Sequence, residues 1–236
     1  MPPDADQSLF FYPRSKVSAE SHQSNELRES PSSIFVAQQT TRMNVHFGLD
    51  HLVIQVCFRP GYLYQLLNKF PIQDFQGKEL DAELFDSRGI VKLNEQLQET
   101  NNYLLMIEFI ERYLLKQLAY VNVEILPIDR AIDFLKHSTA PVSLDWLADQ
   151  ACLSTRQFER NFISRMGMTP KFYARISRFD RAFKTKLKNP EMGWLQVAYN
   201  CGYFDYSHLM RDFRQFAEVS PSMLIAEDSI TGQGRA

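Results

Sequence analysis

Two stretches of this chain, which begin fifty residues apart, share one pattern that constrains the fold more than any other feature. They are LADQACLSTRQFERNF at 147–162 and VAYNCGYFDYSHLMRDF at 197–213. Each reads as a short helix, a tight turn and a second helix, which is the plan of a helix-turn-helix. The second helix of such a unit enters the DNA major groove. Two copies in one small domain therefore predict a protein that reads two neighbouring grooves.

The two copies align residue by residue across the turn. Cys152 and Leu153 match Gly202 and Tyr203. With one residue added to the second turn, the following helices also align: Phe158, Arg160 and Phe162 fall on Leu209, Arg211 and Phe213. The matched positions predict two equivalent reading helices.

Length and composition favour two modest globular domains. The chain has 236 residues, of which 44% are hydrophobic and 13% aromatic, enough for packed cores and too many for wholesale disorder. It contains neither a run of eighteen apolar residues nor the layout of a signal peptide. The cysteines, Cys57, Cys152 and Cys201, are odd in number and lack metal-type spacing. These observations predict a cytoplasmic protein with reduced thiols, no membrane partner, no metal and no cofactor.

Charge is distributed unevenly along the chain. Residues 1–124 carry 11 basic and 16 acidic side chains, whereas residues 125–225 carry 14 basic and 10 acidic ones. Eight basic residues fall within 165–188, opposed only by Asp180: Arg165, Lys171, Arg175, Arg178, Arg181, Lys184, Lys186 and Lys188. Such a block is either a solvated helix face or, between two DNA-reading units, a stripe that faces phosphates.

The patterning predicts an α+β protein with an all-α C-terminal domain. Residues 1–33 are polar and read as loop or disorder with one remnant strand near Phe10–Tyr12. Residues 34–121 read as a sensor-like domain in which strands at 34–38, 41–47 and 51–58 form an antiparallel meander, followed by helices near 62–67, 90–99 and 103–118. The predicted remainder is a linker at 122–127, a double helix-turn-helix domain at 128–225 and a flexible tail at 226–236.

Capping residues set the predicted helix boundaries of the C-terminal domain. Ser143 begins one helix, and Ser154 with Gln157 three residues later forms a capping box at the start of the first reading helix. Thr169 precedes Pro170, which suits a first helical turn, and a long connecting helix then runs to Asn189.

Helical spacing separates the buried and exposed faces of the reading helices. Phe158 and Phe162 should face inward, whereas Arg156 and Arg160 should face outward near the helix N-terminus. An arginine there can donate two hydrogen bonds to guanine. Glu159 is either a cytosine acceptor or an ion-pair partner that orients an arginine.

The second reading helix should bury Leu209 and Phe213. His208 is predicted to pack or cap rather than to read bases. The predicted DNA-contacting residues are Thr155, Arg156, Glu159, Arg160, Tyr206, Ser207, Arg211 and Arg214, and the predicted phosphate contacts are Ser154, Lys171, Arg175 and Arg178. Met210 should also be exposed.

The segment from about Ile128 to Leu224 resembles the AraC/XylS family of bacterial transcription regulators. The resemblance lies in LADQACLSTRQFERNF, GMTPKFYARISRFDRA and VAYNCGYFDYSHLMRDFRQFAEVSPS. It implies two helix-turn-helix units that a long helix presents to successive major grooves of double-stranded DNA. It also implies Arg156, Arg160, Ser207 and Arg211 as base contacts, with RNA polymerase and a small-molecule effector as further partners.

Two positions depart from the family pattern. Cys152 stands where the family turn has glycine, and a left-handed backbone there would strain a residue with a Cβ, so an altered turn is expected. Glu218 replaces a second glycine, which is tolerable if the preceding helix runs longer.

The N-terminal half is similar, more weakly, to the sensor domain of one branch of this family. The resemblance lies in QQTTRMNVHFGLDHLVIQVCFRPGYLYQLL. The opening strands of that domain have no counterpart unless 10–12 is one of them, which predicts a shortened sensor. The helix at 103–118 carries an apolar stripe that either packs inside the chain or pairs with a second copy in a homodimer.

No sequence motif indicates an enzyme. Glycine-rich phosphate loops and nucleophile elbows are absent, and the five histidines are scattered. The alternative to a regulator is a DNA-repair alkyl acceptor or a small-molecule binder that uses the helical domain only as a tether. An alkyl acceptor needs a reactive cysteine in an exposed, basic setting, for which Cys57 beside Arg59 is the candidate. Cys57 is otherwise expected to lie in the core.

Overall fold

A computed structural model describes residues 3–21, 27–121 and 124–225. The predicted flexible tail at 226–236 and part of the predicted linker lie outside these ranges. Over the described residues the chain has the expected α+β architecture, with strands in the N-terminal half and helices in the C-terminal half. None of the helices in these ranges is both long and apolar enough to cross a lipid bilayer.

Seven strands and nine α-helices make up the described structure. The strands are β1 (Gln7–Phe11), β2 (Val17–Ser21), β3 (Leu27–Glu29), β4 (Ser33–Val36), β5 (Met43–Phe47), β6 (Ile54–Phe58) and β7 (Glu79–Asp81). The helices are α1 (Tyr62–Leu66), α2 (Ser87–Glu99), α3 (Tyr103–Tyr120), α4 (Pro127–His137), α5 (Leu144–Gln150), α6 (Thr155–Met166), α7 (Pro170–Lys188), α8 (Trp194–Asn200) and α9 (Tyr206–Ala217). Short 3-10 helices cover Ile72–Phe75 and Ala82–Leu84, and residues 221–225 are also helical.

The strands form two antiparallel sheets. One has the order β6-β1-β4-β7 and the other the order β3-β2-β5. In the first sheet Leu9 of β1 lies opposite Phe35 of β4 on one side and Val56 of β6 on the other. In the second, Ala19 of β2 lies between Arg28 and Val45.

The predicted three-strand meander is wrong. Strands β4 and β6 are separated by β1, which pairs with both, and β5 joins β2 in the other sheet. The interpretation of residues 1–33 as loop with one remnant strand is also wrong for 17–21 and 27–29. The reason is that strand alternation marks which residues are extended, whereas the choice of partner depends on contacts between distant parts of the chain.

Strand β1 is the centre of the N-terminal domain. All five of its residues are buried, and Leu9 and Phe11 lie in the core. Helices α2 and α3 contribute further apolar side chains to the same core, including Ile90 and Met106. Leu9, Phe10 and Phe11 supply the apolar surface of β1, whereas its buried polar residues are hydrogen-bonded: Gln7 donates to the Arg165 carbonyl and Ser8 Oγ accepts from Gln55.

The C-terminal domain is built around α7. Tyr173, Ile176 and Phe179 of this helix are completely buried and lie in one continuous core with Phe158 and Phe162 of α6 and with Leu209 and Phe213 of α9. As predicted, Thr169 caps α7 through its side chain, Pro170 occupies the first turn and the helix ends at Asn189. At 19 residues the helix is about 28 Å long.

The two domains contact each other along α4 and α6. Arg165 at the end of α6 donates a hydrogen bond from Nε to Asp129 Oδ1 at 2.9 Å, and its guanidinium lies 5.0 Å from the ring centroid of Tyr64. Gln65 of α1 donates to the other oxygen of Asp129 at 3.2 Å. The backbone approaches closely here, since a Cβ on Gly61 would lie 2.5 Å from Asp129 Oδ1. The first reading helix is therefore attached to the N-terminal domain.

The extreme N-terminal segment also contacts the C-terminal domain. Ala5 is part of the C-terminal core, and the Gln7 side chain donates to the Arg165 carbonyl at 2.9 Å. Asp4, Asp6 and Asp180 form an acidic cluster. Lys184 lies 2.8 Å from Asp180, and Lys136 pairs with Asp6. Burial and the negative charge of Asp4 raise the pKa of Asp180 to about 7.

Candidate DNA-binding surface

The repeated turn has the same backbone hydrogen bonds in both copies. In the first, the Leu153 amide donates to the Ala148 carbonyl at 2.9 Å. In the second, the Tyr203 amide donates to the Ala198 carbonyl at the same distance. The alignment made from sequence is therefore confirmed at the level of backbone geometry.

The turn is preserved at Cys152, contrary to the expectation that it would be altered. Cys152 adopts φ 55°, a left-handed conformation, as Gly202 does with φ 82° in the second copy. At Gly202 glycine is also needed for space, because a Cβ there would lie 1.9 Å from the Thr139 carbonyl oxygen. The first turn thus carries conformational strain of about 1–2 kcal/mol that the second avoids.

At the second departure, Ala217-Glu218, the condition given for tolerating the lost glycine, a helix that continues longer, is not met. Helix α9 ends at Ala217, and Glu218 itself takes the left-handed conformation with φ 61°. Left-handed residues commonly end helices because they turn the chain away from the axis. Glutamate therefore occupies the glycine conformation rather than avoiding it.

Helix α6 presents the predicted polar face. Ser154 and Gln157 form the predicted capping box, and Phe158 and Phe162 are completely buried. The opposite face exposes Arg156, Glu159 and Arg160, none of which has a hydrogen bond or ion pair to any other residue that the structure describes. Thr155 is half-buried, and its hydroxyl donates to Asp145 at 2.8 Å. The two arginines are thus available for an external partner.

Helix α9 presents a second face of different chemistry. Leu209 and Phe213 are completely buried, as predicted. Tyr206, Ser207, Arg211 and Arg214 are exposed, while Met210 is half-buried. Arg211 donates from Nε to the Ser207 carbonyl at 3.4 Å, a weak bond that leaves most of its guanidinium free. Arg211 and Arg160 are therefore exposed at matched positions in the two units.

Most of the basic block at 165–188 is paired within the protein, so it does not form a continuous phosphate-facing stripe. Arg175 donates from Nη2 to Asp212 at 2.6 Å and to Gln215 at 2.6 Å. Arg178 lies 4.6 Å from the Tyr203 ring centroid and donates to the Gly202 carbonyl at 3.4 Å. These bonds disfavour the phosphate contacts predicted for both arginines.

Four more basic residues of the block are also engaged internally. Arg165 is paired with Asp129, Arg181 donates to two backbone carbonyls at the C-terminal end of α4, Lys184 binds the acidic cluster, and Lys186 donates to two carbonyls near Pro190. Within the described residues, Lys171 and Lys188 are the members of the block that remain exposed and unpaired. Lys171 thus stays available as a phosphate contact, as does the exposed cap Ser154.

Asp212 is a structural residue that sequence reasoning missed. Its side chain is 1% exposed, bonds Arg175 and lies 3.6 Å from Arg178. The available signal was its position three residues after Leu209, which places it on the buried side of α9. His208 packs as predicted: its ring lies edge-on to Tyr203, with centroids 5.2 Å apart. Burial and the charge of Arg178 lower the pKa of His208, which favours the neutral ring.

Cys57 is exposed, and the expectation of a core position is wrong. It lies on the edge strand β6, whose residues alternate between half-buried and exposed. It lines a cleft of about 390 Å³ with Arg59 and Lys136, but also with Asp6 and Asp133. Partial burial raises the pKa of this thiol. A raised pKa reduces the thiolate fraction and weighs against an alkyl-acceptor role.

Comparisons with known proteins agree with this architecture. A family model described as a helix-turn-helix domain matches residues 147–226. An 85-residue stretch is 33% identical to the HTH-type transcriptional activator RhaS of Escherichia coli O1:K1, covering 36% of this chain and 30% of that protein. The chain thus matches less than a third of the length of this relative.

Solved structures of ToxT from Vibrio cholerae share the fold over nearly the whole chain. One ToxT structure has a TM-score of 0.54 and 14% identity, covering 94% of this chain and 90% of that one. The unsaturated fatty acid-bound ToxT of strain SCE256 has a TM-score of 0.51 and 13% identity, covering 93% and 86%. The sequence match and the duplicated geometry together show that the C-terminal region of this chain is a helix-turn-helix domain similar to part of RhaS.

Proposed function

We propose that this protein is a sequence-specific transcription regulator that reads two successive major grooves of double-stranded DNA. The observation that carries the proposal is the pair Arg160 and Arg211, exposed at matched positions of two units with the same turn geometry. Residues near the N-terminus of the second helix of such a unit contact base edges. Helix α7, about 28 Å long, joins the two units.

Each reading helix contributes four proposed DNA contacts. In α6 these are Thr155, Arg156, Glu159 and Arg160, and in α9 they are Tyr206, Ser207, Arg211 and Arg214. Ser154 and Lys171 are the proposed phosphate contacts that remain, since Arg175 and Arg178 are half-buried and bonded within the domain. The protein acts by binding, without catalysis and without a cofactor.

Selection of bound DNA from a random pool by the full chain tests this function. We expect a preferred site with two blocks of defined sequence about one helical turn apart and a steep loss of affinity with added salt. Absence of any preferred sequence at moderate salt would contradict the proposal.

Arginine variants then test the assigned residues. Arg160→Ala and Arg211→Ala should each relax the preference at particular base pairs, in different blocks, by about 1–3 kcal/mol. Arg112→Ala, on an exposed face of α3, is the matched control and should leave DNA binding unchanged. Equal loss of affinity on all sequences would reassign the arginines as phosphate contacts.

Two further partners follow as proposals from the likeness to RhaS and ToxT. RNA polymerase is a proposed partner because RhaS is a transcriptional activator, and a small-molecule effector because ToxT is known bound to an unsaturated fatty acid. The cytoplasm is the proposed location.

A homodimer through α3 is the third proposal. Four apolar residues form an exposed stripe along this helix: Leu104, Ile107, Leu115 and Leu118. Burying such a stripe between two copies would remove it from water. Sedimentation equilibrium should find a dimer that Leu115→Glu converts to monomer, and a monomeric wild-type chain would exclude it.

A further inference from the structure

We propose that Phe204 makes the second helix-turn-helix unit a reader of thymine, by contact of its ring with the C5-methyl group in the major groove. This inference rests on the proposed function and names the base class that one half of the DNA site presents. It predicts that the two blocks of the site differ in kind: guanine contacts facing α6 and a thymine contact facing the start of α9.

Phe204 is the one residue by which the second turn is longer than the first. In the first unit Leu153 is followed directly by the helix cap Ser154. In the second unit Tyr203 is followed by Phe204, and only then by the cap Asp205. The backbone hydrogen bonds of the turn are the same in both units. The inserted residue therefore places one additional side chain at the N-terminal end of the reading helix.

The side chain of Phe204 faces solvent although it is a large apolar group. Phe204 is 85% exposed, whereas its neighbour Tyr203 is 3% exposed. Phenylalanine contributes nothing to the core from this position, and its exposure to water is unfavourable. An exposed ring next to the solvent-facing residues of α9 is suited to an apolar contact with a partner.

Residues on both sides hold Phe204 in place. The Tyr203 amide is bonded to Ala198, and the preceding Gly202 is packed against Thr139. On the other side, Asp205 Oδ1 accepts a hydrogen bond from the His208 amide at 2.6 Å. A fixed backbone presents the ring at a defined place relative to α9, which reading a single base requires.

An exposed phenylalanine ring can distinguish one of the four bases in the major groove. In the major groove, thymine alone among the four bases offers a methyl group, and phenylalanine is one of the residues that contact it. The exposed neighbours Tyr206 and Ser207 are uncharged, in contrast to the Arg156 and Arg160 pair of α6. The chemistry of the second unit therefore favours an A·T pair beside the base read by Arg211.

Replacement of thymine by deoxyuridine isolates this contact, because it removes the C5-methyl and leaves base pairing unchanged. The full chain first selects its site from a random pool, and Arg160→Ala and Arg211→Ala assign the two blocks. Each thymine of the selected site is then replaced singly, and the dissociation constant is measured for wild type, Phe204→Ala and the control Met223→Ala, which removes another exposed apolar side chain of this domain. Circular dichroism verifies that each variant is folded.

We expect one thymine in the block assigned to Arg211 at which deoxyuridine weakens wild-type binding roughly fourfold, the value for one buried methyl group. Phe204→Ala should bind the thymine and deoxyuridine sites equally, whereas Met223→Ala should behave as wild type. If wild type binds every deoxyuridine site as tightly as the thymine site and still prefers its selected sequence, the inference is overturned and the proposed function stands.

Other outcomes also decide against the inference. A methyl effect that persists in Phe204→Ala assigns the methyl contact to another residue. An equal loss of affinity by Phe204→Ala on both DNAs assigns the ring to the DNA backbone, and unchanged affinity shows that the ring does not contribute to DNA binding. If wild type selects no sequence at all, the inference falls together with the proposed function.

Discussion

The two helix-turn-helix units follow one backbone path but have different neighbours. The first unit contacts the N-terminal domain, because Arg165 at the end of α6 lies over the Tyr64 ring, and its partner Asp129 on α4 accepts a hydrogen bond from Gln65. The second unit is supported from within the domain, where Asp212 of α9 is paired with Arg175 of α7. The comparison shows that a repeated motif can keep its geometry while the contacts that stabilise it are replaced.

The same contrast extends to the turns and the exposed faces. The first turn contains a strained Cys152 and is followed at once by the arginines of α6, whereas the second contains Gly202 and is followed by aromatic and hydroxyl side chains before the arginines of α9. The arrangement suggests that the units are not interchangeable. Asp129 bonds both Gln65 of the N-terminal domain and Arg165 of the first unit.

The largest effect is expected from removing the buried carboxylate of the second unit. Asp212→Ala leaves Arg175 and Arg178 without their counter-ion, which should lower the free energy of unfolding by roughly 3 kcal/mol. Urea denaturation followed by circular dichroism measures the change. The exposed Asp149→Ala is the control on α5 and should change stability by less than about 0.5 kcal/mol. A loss for Asp212→Ala as small as the control's would show that the second unit does not depend on this pair.

A similar loss of stability is expected when a Cβ is added at Gly202 in the second turn. In Gly202→Ala the left-handed backbone and the overlap with the Thr139 carbonyl should together cost about 3 kcal/mol. Gly193→Ala is the matched control, since a Cβ at Gly193 meets no atom within 4 Å. Thermal denaturation compares the two variants. If both melt alike, the close approach to Thr139 does not constrain the second turn.

At the first turn a substitution is expected to raise the free energy of unfolding. Cys152→Gly relieves left-handed strain of about 1–2 kcal/mol but adds freedom to the unfolded chain, so a net gain of about 0.5–1 kcal/mol is expected. Glu218→Gly should behave alike. Gln196→Gly, in the regular helix α8, should instead lose about 0.5–1 kcal/mol. Loss of stability in Cys152→Gly would mean that the thiol contributes packing that outweighs the strain.

The smallest effect is expected in the pH dependence of the free energy of unfolding, through Asp180 on α7, the helix that joins the two units. The pKa of Asp180 is raised to about 7 in the folded protein, so between about pH 4 and pH 7 the folded state binds a proton that the unfolded state lacks. Stability from this group is therefore present at low pH and lost as the pH rises through 7. Lys184 offsets part of the repulsion, which keeps the effect modest.

Urea denaturation at pH 5 and pH 7.5 measures this effect. The free energy of unfolding should fall more over this interval in wild type than in Asp180→Asn. The control Asp133→Asn, at an exposed position on α4, should retain the wild-type slope. Identical slopes for wild type and Asp180→Asn would show that the acidic cluster titrates as exposed carboxylates do.

Much of the C-terminal domain was predictable because its signals are local. Ser154 with Gln157, Thr169 with Pro170, and the spacing of Phe158 and Phe162 each act within one or two helical turns, and the structure confirms them. The left-handed conformation of Cys152 was not predicted, because the strain of a residue with a Cβ was expected to alter the turn. The assignment of specific DNA contacts stays a prediction.

The roles of the basic residues were not predictable, because they depend on partners far away in sequence. Arg165 meets Asp129 and Arg175 meets Asp212, each across more than thirty-five residues of chain. A local count of charge cannot distinguish such a buried pair from an exposed phosphate contact. Strand pairing in the N-terminal domain failed for the same reason, since β1 meets β6 across the length of the intervening strands.

The sequence by itself determined the duplicated reader, its helix caps and its inward and outward faces, because hydrophobic period and capping chemistry are local properties of the chain. Only the tertiary structure decided which arginines are free, that the N-terminal domain is attached to the first unit, and that Phe204 faces solvent beside α9. These three features depend on contacts between residues that are far apart in the sequence. A buried charge must be paired, and the sequence offers several possible partners, of which the tertiary structure selects one.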